Sequence, residues 1–96
     1  MMSQVTNVIL CCALYEGEAI DYINETFNLG VHFESEGNFC AGDKNLEVSI
    51  HLGAFNYLRL PLLVKAITEA HWSCPECVQL LIKGQEDDKF HEVPTL

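Results

Sequence analysis

The run Val5–Leu14 limits what this chain can fold into more than any other feature. It is rich in Val, Ile and Leu and shows no helical period. Runs of that kind are strands covered on both faces, so the segment predicts a buried central strand. It is far short of the roughly 20 apolar residues a membrane span needs. The N-terminal residues Met1–Asn7 carry no Lys or Arg, and only seven apolar residues, Val8–Leu14, follow. A secretory signal needs a basic start and a small-residue cleavage site. The expectation is a cytoplasmic protein without a membrane anchor. At 96 residues and 10.8 kDa the chain predicts one domain over 1–96. With 49% apolar and 20% charged residues it has the composition of a packed domain, not a disordered one.

The other elements follow from periodicity. Glu16-Gly17 turns the chain, and Glu18–Asn28 predicts a helix. Its Ile20, Ile23 and Phe27 share one side; Glu18, Asp21 and Glu25 share the other. Asn28-Leu29-Gly30 stops it. Val31–Glu36 and Leu46–Leu52 alternate as half-buried strands, with Val31, Phe33, Leu46, Val48, Ile50 and Leu52 expected inward. Gly37–Asn45 between them reads as a loop, and Gly53–Tyr57 as a connection. A second helix has Pro61 early and Leu62, Leu63, Ala66, Ile67 and Ala70 as its packed face. His71–Glu76 ends it. Cys77–Lys83 predicts a strand with Val78, Leu80 and Ile82 on one face. Lys89–Val93 predicts a short edge strand stopped by Pro94. The order β-α-β-β-α-β plus a terminal strand predicts an α+β, ferredoxin-like sandwich. Its sheet would be mostly antiparallel, with two helices on one face.

Fourteen acidic residues against five basic ones give a net charge of −9. A surface of that sign repels phosphate, so direct nucleic-acid binding is not expected. The charge is also uneven. Residues 1 to 43 contain Glu16, Glu18, Asp21, Glu25, Glu34, Glu36 and Asp43 and no Lys or Arg. Such a field reaches roughly 8–10 Å in physiological salt and speeds encounter with a cationic surface. Blocks of charge are also the ordinary way to keep a small protein solvated. Glu18, Asp21, Glu25, Glu34 and Glu36 are the candidate partner-binding residues.

The chemistry-bearing motifs are sparse. His71-Trp72-Ser73-Cys74-Pro75-Glu76-Cys77 holds one Cys-x-x-Cys. His71, Cys74 and Cys77 make weak metal candidates, because a structural zinc needs four ligands and Cys40 would have to be recruited from a distant loop. Thiol redox chemistry prefers a helix N-terminus, whereas this motif follows a helix. Five cysteines are an odd number and read most simply as buried thiols. His32 and His51, expected on the outward sheet face with Glu34, Glu36, Glu47 and Ser49, could bind a metal or a small molecule; strand alternation alone also produces such a patch. No Gly-x-Ser-x-Gly elbow and no glycine-rich phosphate loop occurs. Phe55, Tyr57 and Trp72 are expected to staple the second helix to the sheet.

The stretches Gly53-Ala54-Phe55-Asn56-Tyr57-Leu58, His71-Trp72, Pro75-Glu76-Cys77-Val78-Gln79-Leu80 and Gln85-Glu86-Asp87-Asp88-Lys89-Phe90 together resemble a pattern in small uncharacterised bacterial single-domain proteins. The resemblance implies a recurring fold and brings no activity with it. The expected function is therefore a small, acidic, non-enzymatic interaction module without a cofactor. It would bind a basic protein partner, as an immunity-type or anti-defence inhibitor that mimics nucleic acid does. The alternatives are a small-molecule-binding module or a homodimer built on the open sheet face, and a zinc or thiol protein using Cys74 and Cys77.

Overall fold

A computed structural model describes residues 4–26, 34–35, 40–41, 44–45 and 47–95. The fold is α+β, an open antiparallel sheet with two helices. Its elements are β1 (Val5–Ala13), α1 (Gly17–Thr26), β2 (Glu34–Ser35), β3 (Cys40–Ala41), β4 (Lys44–Asn45), β5 (Val48–Asn56), α2 (Leu60–Glu69), a 3-10 turn at Pro75–Cys77, β6 (Gln79–Gly84) and β7 (His91–Val93). The five-stranded sheet runs β2-β5-β1-β6-β7, every neighbouring pair antiparallel. The apolar run does form the central strand. The segment expected as a loop contains the small β3–β4 hairpin.

Alternation along β1 sets the two faces of the sheet. Val8, Leu10 and Cys12 are buried under the helices, while Asn7, Ile9, Cys11 and Ala13 are half-buried on the other side. The core joins the first set to Ala19, Ile20 and Ile23 of α1, Leu63, Ala66 and Ile67 of α2, Phe55 of β5, and Leu80 and Ile82 of β6. Both helices therefore share one face, as periodicity anticipates. Leu62 is the exception in the expected face of α2, at 48% exposed. Phe27 lies outside the described residues.

The largest departure is in β5. Its register pairs Leu10 with His51 and Cys12 with Ser49, so Ser49, His51, Gly53 and Phe55 point toward the helices. Val48, Leu52 and Ala54 are exposed on the open face, with Ile50 half-buried there. The alternation was expected to place its aliphatic residues inward, and the structure reverses it. The physical reason is at the far end of the strand. β5 runs on through the expected connection to Asn56, and Phe55 is buried in the core. A phenyl ring buries some 150–250 Å², and side chains two apart share a face, so anchoring Phe55 fixes every odd residue inward. Small Gly53 and Ser49 then fit beneath the helices.

Polar contacts fasten the layers. The Tyr22 hydroxyl donates to Glu69 Oε2 at 3.1 Å, linking α1 to α2. The Trp72 indole donates to the Ile67 carbonyl at 2.8 Å, satisfying a last-turn acceptor of α2. Thr68 Oγ1 donates to the Thr95 carbonyl at 2.9 Å and holds the chain that follows β7. Phe55 and Trp72 thus brace the helices as expected, whereas Tyr57 is 55% exposed. No described helix is long and apolar enough to cross a membrane.

Candidate functional site

The acidic residues divide into three groups. Glu18, Asp21 and Glu25 recur at helical spacing on the exposed side of α1. They line one shallow hollow together with Gly17, Tyr22 and His71. Among the described residues the only ion pair is Lys65–Glu69, at 3.9 Å on α2, and no described cation pairs with this stripe. Glu18 in the first turn suits the helix dipole. Glu25 in the last turn opposes it, and that turn holds no basic residue.

Glu34 stands on a different element from the stripe. Glu34 lies in β2, paired with Leu52 beside the outer edge of β5, and α1 packs against α2 rather than β2. Glu36 is outside the described residues, as are His32 and Asp43. Of the five expected residues, the described structure brings Glu18, Asp21 and Glu25 together on one helix.

Glu16 leaves the surface altogether. It is 5% exposed, and its carboxylate accepts the backbone N–H of Ser73 at 2.9 Å and of Cys74 at 2.8 Å. Its own backbone carbonyl accepts the Ile20 N–H at 3.1 Å and starts α1. One residue therefore ties the β1–α1 corner to the loop after α2. Sequence spacing gave no sign of it, because the partners are backbone groups 57 and 58 positions away.

The histidine patch is also rearranged. His51 is buried, not outward, and its Nε2 lies 2.7 Å from Ser49 Oγ, while Nδ1 has no partner. Glu47 is exposed at a bend before β5. Burial pushes the His51 imidazole below its usual value of 6.5. The folded state then resists a proton that the unfolded chain accepts, so stability is complete above about pH 6.5 and falls as pH drops through it. Urea unfolding between about pH 5.5 and 7.5 should show that slope, and His51→Gln should flatten it. An unchanged slope in the variant would assign the pH dependence to other groups.

The cysteines differ among themselves. Cys12 is buried, Cys11 and Cys74 are half-buried and Cys77 is exposed, which corrects the expectation of uniformly buried thiols. Burial, then the Glu16 carboxylate, pushes Cys12 up to about 11, although a Ser49 hydrogen bond works the other way. Cys74 starts the 3-10 turn, whose Cys77 N–H donates to the Cys74 carbonyl at 3.1 Å. Hydrogen bonding to Cys77, then burial, pushes the Cys74 thiol up to about 12. A thiol in that range is protonated at neutral pH and is a poor nucleophile. Among the described residues no three His, Cys, Asp or Glu side chains converge as a metal site would require; exposed His71 lines the α1 hollow instead.

The chain matches no family model, no curated protein and no solved structure.

Proposed function

We propose that this chain is a protein-interaction module that presents the outer side of α1 to a basic surface on another protein. The observation that carries the reading is the stripe of Glu18, Asp21 and Glu25 around one hollow, with no ion pair to it among the described residues. Three like charges on one helix repel one another, and Glu25 also opposes the dipole. A cationic partner relieves both costs on binding, and the long-range field accelerates its approach. An inhibitor that occupies the nucleic-acid groove of a basic protein would use this physics.

The fold we assign beneath this surface is a ferredoxin-like sandwich. Its support is the order of strands in the sheet. β5 lies between β1 and β2, which α1 connects, and β1 lies between β5 and β6, which α2 connects. That is the split β-α-β arrangement, made twice.

The test neutralises the stripe. Wild-type protein and the triple variant Glu18→Gln, Asp21→Asn, Glu25→Gln are used as baits in host lysate at low and high salt. Association of the recovered partner is then timed against ionic strength. The variant is expected to associate about 10–100 times more slowly at low salt and with a flatter salt dependence. Equal rates for the two baits would refute the docking role of α1.

A further inference from the structure

The reversed β5 leaves an apolar sheet face, on the side of the molecule away from both helices. Ile9, Cys11 and Ala13 of β1 lie between Val48, Ile50, Leu52 and Ala54 of β5 and Leu81 of β6. Val48 is 42% exposed and Leu52 37%. No described element covers this surface. We propose that it is a self-association interface, on which a second copy of this chain packs sheet against sheet.

Charge and shape on the face favour a copy over a basic partner. In a chain of net charge −9, register places Glu34 of β2 at one edge of this face and Lys83 of β6 and Glu92 of β7 toward the other, so the charges lie at its edges rather than its centre. Two copies can meet over the neutral centre without opposing their acidic helices, which point outward from such a pair. The aliphatic centre, Ile9, Cys11 and Ala13 between Val48, Ile50 and Leu81, offers a cationic partner nothing to pair with. Two identical twisted sheets, by contrast, pack naturally at about 30° and some 10 Å apart. A two-fold axis through the face makes the contact isologous and closed, so the assembly stops at two.

The area is adequate for a weak dimer. Strands about 4.8 Å apart, rising about 3.3 Å per residue, give β5, β1 and β6 a face roughly 14 Å wide and 30 Å long. Side-chain relief and the flanking strands bring two such faces to roughly 1,000–1,200 Å² of total burial. That is the low end of specific interfaces, the range of weak and transient pairs. The pair would also carry two acidic helices, so a multivalent basic target would be held by avidity. The inference rests on the sheet alone and stands or falls separately from the role of α1.

Sedimentation of wild type from about 5 to 500 µM tests it directly, alongside Leu52→Lys and Val48→Lys. Both replaced side chains are partly exposed, so both variants are expected to fold with thermal midpoints near that of wild type. The expected result is a wild-type mass that doubles across the range while both variants stay monomeric. Maleimide labelling adds a local readout: Cys11 should react more slowly as wild-type concentration rises. A wild-type monomer at every concentration overturns the proposal and leaves the face to a foreign partner. A dimer that survives both lysine substitutions, or one that leaves Cys11 labelling unchanged, overturns it as well.

Discussion

Replacing Glu16 with alanine should destabilise the fold by about 2–4 kcal/mol, the largest effect expected of any polar residue here. The carboxylate is buried and accepts two backbone donors, Ser73 N–H and Cys74 N–H. Hydrogen bonds to a charged acceptor contribute more than neutral ones, and removing the acceptor takes the partner from both part-buried donors. For a domain of this size the loss corresponds to a drop of roughly 10–25 °C in thermal midpoint. Glu16→Gln keeps the shape and one carbonyl oxygen but brings an NH2 to a place that needs an acceptor, so an intermediate loss is expected. The turn holding Cys74 and Cys77 should also loosen in Glu16→Ala, seen as faster alkylation of Cys74. A thermal midpoint within a few degrees of wild type would mean that solvent satisfies both donors and that Glu16 is not the anchor.

Glu16 also shows where sequence reasoning reaches its limit. Local periodicity made the helices legible: Ile20 with Ile23, and Leu63 with Ala66 and Ile67, recur at helical spacing and do face the core. The central strand was legible because the run Val5–Leu14 is apolar without a helical period, although only its Val8, Leu10 and Cys12 side is buried under the helices. The acidic stripe followed from the same helical geometry. Glu16 lies beside that stripe in sequence and has the same charge, yet its role depends on backbone donors from the far end of the chain. No local pattern encodes such a partner. The facing of β5 failed for a related reason. Alternation identifies two sets of residues but not which set goes inward, and Phe55, beyond the segment that alternates cleanly, decided it. His51 and Ser49 then fell on the helix side, where Ser49 Oγ meets His51 Nε2. The histidine patch expected outside was lost, and an aliphatic surface took its place.

The assignment of faces can be tested within β1, because adjacent residues there point in opposite directions. Leu10 is fully buried between His51 and Leu80 beneath the helices, whereas Ile9 lies half-buried on the open face between Leu52 and Leu81. Leu10→Ala removes three heavy atoms from a packed core and leaves a cavity, for an expected loss of about 3–5 kcal/mol. Ile9→Ala removes the same number of atoms from a surface that water already reaches, for about 1 kcal/mol. Domains of this kind have a total stability of roughly 5–15 kcal/mol, so the first variant should be near the edge of folding and the second well inside it. Urea titration at low micromolar concentration, where self-association does not contribute, separates the two. Equal losses would mean that both faces of β1 are covered to the same extent, so that no open face remains for a second copy. A larger loss for Ile9 would place the core on the opposite side of the sheet and reverse the orientation of every strand described here.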